Sequence, residues 1–244
     1  MEFIENEYFI EGLKTFLWFT ILVIVLGLIL IAIRFLVKIP DFIFRKILHL
    51  VAISMITILI VVPIHWWIAE IVLGICTFGI LVFLLICEHT EFYKKLYVEK
   101  YKHEILISFF VFIAVVASLI AFFWGYRGDA NKYCVFIALL SWGLGDAAAS
   151  IVGHTLGKHK ISGKFVEGTK SVEGSIACFV LAFTVSLILL IALMHMVWWL
   201  SLIEAILIGV FVALAELFTK KGMDTATCPL VAGLVLFLFS LIVL

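Results

Sequence analysis

The sequence predicts an all-α fold, a polytopic integral membrane helical bundle of about eight transmembrane helices, with 1–244 as a single integral membrane catalytic domain. Three observations lead there. Hydrophobic residues make up 66% and charged residues 14% of the chain, against roughly 45–50% and about 25% in soluble domains. Apolar runs about as long as a bilayer is thick recur from end to end, and no polar interval is long enough for a soluble domain. The lysines and arginines fall in alternate intervals between these runs.

The spans are expected at about 16–37, 47–64, 67–87, 105–124, 134–153, 175–194, 197–217 and 227–244, separated by charge clusters and by Pro40, Pro63 and Pro229. One set of intervals holds Arg34, Lys38, Arg45, Lys46, Lys94, Lys95, Lys100, Lys102, Lys158, Lys160, Lys164, Lys170, Lys220 and Lys221. The other holds only Lys14, Arg127 and Lys132. By the positive-inside rule the basic set is cytoplasmic, and both termini lie on the outer side. Trp66, Trp67, Trp124, Trp198 and Trp199 then fall at outer span ends, as an interfacial aromatic belt. The interval 88–104, EHTEFYKKLYVEKYKHE, reads as an amphipathic surface helix. The acidic N-terminus does not resemble a cleavable signal peptide. Cys76, Cys87, Cys134, Cys178 and Cys228 show neither zinc-ligand nor disulfide spacing. With a net charge of zero, nothing points to nucleic acid.

The fifth span contains GLGDAAASIVGHTLGK, residues 143–158. A carboxylate within a span costs roughly 2.5–3.5 kcal/mol to insert, so Asp146 should face the bundle interior or a wet cavity. Gly145, Ala149, Gly153 and Gly157 form a small-residue stripe suited to close helix packing. Asp146, Ser150 and His154 share the neighbouring face, where they make either a polar packing contact or one wall of a hydrophilic site. The next interval, GKHKISGKFVEGTKSVEGS (157–175), sets Lys158, Lys160, Lys164 and Lys170 among Gly163, Gly168 and Gly174. Glycine turns, lysines and a helix start near Ser171 together form a candidate phosphate-binding loop. Glu167 and Glu173 lie in the same interval, although no P-loop or dinucleotide fingerprint is present.

Further charged groups fall on the same predicted side. Glu216 lies near the end of the seventh span, and Asp224 in the turn that follows. FRKILHL places Arg45, Lys46 and His49 within about one turn at the start of the second span. Anchoring accounts for the arginine and lysine, but not for a histidine one turn deeper. Carboxylates suit Mg²⁺, which takes one or two acids plus substrate phosphates. Lys and Arg would hold those phosphates. A phosphate-bearing cytosolic substrate meeting a membrane-dissolved one is the physical expectation.

These residues resemble a known family. GDAAASIVGHTLGKHK followed by GTKSVEGS looks like the signature of CTP-dependent lipid kinases (dolichol kinase, phytol kinase and yeast-type diacylglycerol kinase), distantly similar to phosphatidate cytidylyltransferases. RKILH at 45–49 and AELFTKKGMDTATCPLVAG near the C-terminus resemble that group's flanking patterns, except for Thr225 where asparagine is common. The resemblance marks Asp146, Gly153, Gly157, Lys170, Glu173, Gly174, Glu216 and Asp224, with Pro229 matching the pattern's proline. The long C-terminal signature of the cytidylyltransferases has no counterpart here, which favours the kinases.

The expected activity is therefore transfer of the γ-phosphoryl of CTP, or of ATP, to the hydroxyl of a membrane lipid alcohol at the cytoplasmic face. Asp146, Lys170 and Glu173 are the catalytic candidates. Asp146 with Glu216 or Asp224 would hold Mg²⁺. Gly153, Gly157, Lys158, Lys164, Gly168, Ser171, Gly174, Arg45, Lys46 and His49 are the nucleotide- and substrate-binding candidates. Cytidylyl transfer to a lipid phosphate is the first alternative. A transporter with an acidic site is the second, disfavoured because the acids sit toward one surface and no repeat is visible. Glu204, in the outer part of the seventh span, is left without a role.

Overall fold

The structure is a computed structural model that describes residues 2–88, 90–96, 103–163, 166, 170–220 and 222–243. Among these residues there are helices and no strand, only two isolated bridges. The helices are α1 (Glu2–Leu36), α2 (Asp41–Val61), α3 (Trp66–Cys87), α4 (Glu91–Leu96), α5 (Glu104–Leu119), α6 (Lys132–Thr155), α7 (Val172–Ala192), α8 (Trp198–Phe218) and α9 (Asp224–Val243). A π-helical turn, Ile120–Tyr126, extends α5, and a 3₁₀ turn, Asp129–Asn131, precedes α6. Eight of the described helical segments are long and apolar enough to cross a membrane, in the places where the hydropathy pattern puts them. The protein is multi-pass and all-α.

The chain divides into two compact units, Met1–Ile113 and Ala114–Leu244. In the first, α1 packs on α2 and α3. The α1–α2 turn is fastened by Arg34, which bonds Asp41 at 2.7 Å and stacks its guanidinium 5.0 Å from the centre of the Phe44 ring. In the second unit α6 packs against α7, α8 and α9, and is the most buried of the spanning helices. Its buried run from Cys134 to Leu139, with Trp142, forms the core of this unit.

Three sequence expectations need correction. The first helix begins at Glu2, well ahead of residue 16. No proline interrupts residues 2–15, and the early glutamates suit a helix N-terminus. Glu11 also accepts the Ile64 N–H at 2.7 Å, which ties this extension to the α2–α3 turn. Asp224 lies not in a turn but in the first turn of α9, and Pro229 lies inside that helix rather than marking its edge. A proline so near the start removes little more than the bond its nitrogen would have made to the Thr225 carbonyl. Trp124 is not an interfacial residue. The π turn places it at 1% exposure with its indole N–H donating to Asp129 at 2.6 Å, whereas Trp66, Trp67, Trp198 and Trp199 are exposed as expected. Of the expected surface helix at 88–104, Glu91–Leu96 is helical, and residues 89 and 97–102 lie outside the described residues. Its Tyr93 packs with Leu84 and Leu106 in a small buried cluster, so apolar burial holds this segment.

Candidate functional site

Small residues bring α6 and α7 into backbone contact. A Cβ on Gly174 would stand 2.8 Å from the Ala149 carbonyl oxygen, and one on Gly157 would stand 2.6 Å from the Ser171 Oγ. Both distances are shorter than real Cβ contacts, so only glycine allows this approach. Gly145 packs in the same way on Cys178. The small-residue stripe of the sequence is thus a packing surface, as its spacing predicts.

The two ends of the segment joining these helices are bonded to each other. Lys160 and Ser171 pair in antiparallel fashion, with Ile161 N–H donating to the Lys170 carbonyl at 3.0 Å and Val172 N–H donating to the His159 carbonyl at 3.0 Å. A second bridge joins Gly163 and Val166 nearer the tip. Ser171 caps α7, its Oγ accepting the Gly174 N–H at 3.2 Å. Lys160 Nζ donates to the Gly153 carbonyl at 3.2 Å. Glu173 reaches back across the ladder: its carboxylate accepts the His159 N–H at 3.2 Å and lies 2.7 Å from the His159 ring Nδ1. Residues 157–163 and 170–175 are therefore joined by backbone and side-chain bonds rather than loosely solvated. Lys164 and Gly168, both nucleotide-binding candidates, lie outside the described residues, as does Glu167.

The base of this loop carries the acid–lysine centre. Lys170 makes an ion pair with Glu216 of α8, and the side chains are 18% and 5% exposed. Burial alone pulls the Lys170 pKa down. The carboxylates of Glu216, Asp224 and Asp146, all within electrostatic reach, more than offset this and leave it above the ordinary lysine value. Three helices thus each supply one acid to the surroundings of this ammonium group: α8 supplies Glu216, which pairs with it, and α6 and α9 supply Asp146 and Asp224 within electrostatic reach. Asp146 and Glu216 are each 4% exposed, which answers the expectation that a carboxylate in a span faces inward. Its helix-mates are placed differently, with Ser150 half-buried and His154 exposed.

The candidates separate into groups. Asp146, Gly153, Gly157, Lys170, Ser171, Glu173, Gly174, Glu216 and Asp224 all belong to the second unit and surround the loop and its base. Lys158 is exposed on the loop. Arg45, Lys46 and His49 are half-buried on α2 of the first unit. Among the described residues no three His, Cys, Asp or Glu side chains are close enough to hold a metal ion on their own. Carboxylate oxygens are nonetheless the right donors for Mg²⁺, and two acids plus substrate phosphates suffice for it. The sequence reading missed His159 as the partner of Glu173. The only signal was weak: an alternating KHK followed by a histidine-to-acid separation of 14 residues.

Eight apolar helices and a buried acid–lysine centre under a glycine loop define a polytopic membrane protein with a polar site near one end of its second unit. The profile of the cytidylyltransferase family matches residues 8–219, most of the sequence. The chain belongs to the cytidylyltransferase family, whose name denotes transferases that use CTP. The match takes in Asp146, the loop and Glu216, and stops short of Asp224 and α9. No curated protein and no solved structure matches the chain.

Proposed function

We propose that this protein is a membrane lipid kinase that transfers the γ-phosphoryl of CTP to the hydroxyl of a lipid alcohol at the cytoplasmic face. The observation that carries the reading is Lys170, which lies beside the bonded ends of the α6–α7 segment, pairs with Glu216 and is within electrostatic reach of Asp146 and Asp224. Membership of a CTP-using family supports the donor. The resemblance of GDAAASIVGHTLGKHK and GTKSVEGS to lipid kinases supports the reaction.

Phosphoryl transfer asks the protein mainly for positioning and charge neutralisation. The loop backbone and Lys158 would hold the nucleotide phosphates, with Lys170 beside the transferred group. Asp146 and Asp224 would hold Mg²⁺, which when bound neutralises phosphate charge. Glu216 would join them only if its pair with Lys170 opened. The lipid hydroxyl attacks the γ-phosphorus, the bond to the β-phosphate oxygen breaks and CDP leaves. The hydroxyl proton passes to a carboxylate at the site. The grip of Glu173 on His159 supports a loop-organising role for Glu173 over that of base. The abundance of basic residues on the loop side supports cytoplasmic placement.

Cytidylyl transfer to a lipid phosphate is the second reading, favoured by the name of the matched family. The two reactions part on the fate of the label. Purified protein in lipid vesicles is supplied with CTP labelled at the γ- or the α-phosphate, a panel of lipid alcohols and phosphatidate. Label in lipid from γ-labelled CTP, lost in Asp146→Asn, is the expected result. Label in lipid from α-labelled CTP alone would replace the kinase with the transferase, and label from neither would end both.

A further inference from the structure

We propose that Glu204 is the acid of a second polar site in the second unit, which holds one small monovalent cation, a proton or a sodium ion, between α6, α7 and α8. Glu204 is 3% exposed in the interior of α8. Among the described residues it makes no hydrogen bond and no ion pair. It precedes Glu216 by about 18 Å of helix, so the acid–lysine centre does not account for it. A lone carboxylate is costly to keep in hydrocarbon, and a buried one needs a cation to cancel its charge.

Two glycine contacts fix what surrounds it. A Cβ on Gly145 of α6 would lie 3.5 Å from the Ala182 Cβ of α7, and one on Gly209 of α8 would lie 3.0 Å from the Phe183 Cβ of α7. One turn beyond these contacts, toward the Lys132 end of α6, come Ser141 on α6, Ser186 on α7 and Glu204 on α8. Ser201 follows one turn further along α8, and all four are buried. Cys134, nearer the start of α6, is within electrostatic reach of Glu204. The donor set suits a hard cation. Ser141 and Ser201 give their protons to carbonyls of their own helices, Ala138 at 3.3 Å and Val197 at 3.2 Å, which leaves oxygen lone pairs free. The Ser186 hydroxyl is buried with no partner among the described residues. A carboxylate with three hydroxyl oxygens offers the ligands that hard cations take. The same oxygens accept from a carboxyl O–H when the cation is a proton.

The other charged groups at this end are engaged elsewhere. Arg127 reaches Cys134 electrostatically and lies 5.2 Å from the centre of the Phe237 ring. Lys132 lies over Trp124 and Tyr133, and Asp129 accepts from the Trp124 indole. Neither α7 nor α9 brings a titratable side chain to this level, and His195 lies beyond the end of α7. The inference is independent of which group the acid–lysine centre transfers.

The test reads the carboxyl itself. The whole protein is placed in bilayers of ether-linked phosphatidylcholine, which has no ester carbonyl to cover the acid region. Infrared difference spectra of wild type against Glu204→Gln are recorded at neutral pH, in choline chloride and in sodium chloride. In choline chloride the difference should show the C=O stretch of one protonated carboxylic acid, shifted in heavy water. Persistence of that band in sodium chloride assigns the proton, whereas its conversion to carboxylate bands assigns sodium. Ser186→Ala should shift the acid band or weaken the response to sodium, and Asp146→Asn should change neither. Carboxylate bands in both salts would overturn the site. Spectra that Ser186→Ala leaves untouched would overturn its three-helix composition. Should Glu204→Gln not fold, protein grown on carboxyl-¹³C glutamate is compared with Glu204→Asp, which removes one label from the isotope-shifted band.

Discussion

Replacing Lys170 with methionine separates a structural lysine from a catalytic one. The substitution keeps most of the aliphatic stem and removes the ammonium group. Glu216 is then left at 5% side-chain exposure without its ion-pair partner, and Asp146 and Asp224 lose the shared cation. Breaking a buried pair from one side costs about 3–5 kcal/mol. Because Lys170 is 18% exposed, the expected loss is about 2–4 kcal/mol. Glu216→Gln in the same chain removes the stranded charge and should recover at least half of that loss. Activity should not follow stability. If Lys170 neutralises the transferred phosphoryl group, label transfer falls by about a hundredfold or more in both the single and the double variant. Thermal denaturation followed by size-exclusion recovery reads the first quantity, and transfer of γ-label from CTP to lipid reads the second. A double variant that regained stability and transfer together would make Lys170 a strut and refute its catalytic role.

Four further outcomes follow from the same geometry. The Lys170 pKa is raised, so its pairing stabilises the fold fully below the ordinary lysine value of 10.5 and is lost as pH climbs through the higher folded value. A melting-temperature profile should therefore stay flat to about pH 10 and fall above it, and Lys170→Arg should flatten that fall, because arginine keeps its proton. Gly174→Ala drives a Cβ against the Ala149 carbonyl at 2.8 Å and should cost about 1–3 kcal/mol in thermal stability. Glu173→Gln weakens the hold on His159 and should increase protease cleavage within 159–172, while His159→Ala alone should do the same. Asp146→Asn should keep the melting temperature within a few degrees and abolish transfer, which activity and melting measurements on one preparation can decide.

The spans were legible because lipid imposes a length and a composition on every crossing segment, and because lysines mark one side. Asp146 was legible for the opposite reason, since a carboxylate in hydrocarbon is costly enough to demand a cause. The convergence of Asp146, Glu216 and Asp224 on Lys170 was not derivable from spacing. It depends on how deep α6, α8 and α9 sit relative to each other. The burial of Trp124 depends on one extra residue in the π turn, which no hydropathy pattern registers. His159 escaped notice because an exposed histidine in a basic loop looks like any solvated residue until its partner is known.

The glycine contacts between α6 and α7 have a mechanical consequence. The loop begins at the end of one of these helices and finishes at the start of the other, and Ser171 touches both. Pulling the two helices apart must therefore draw the loop's ladder open, like a purse released at its neck. Any change in the spacing of this helix pair is therefore passed directly to His159, Lys160 and Lys170 at the ladder.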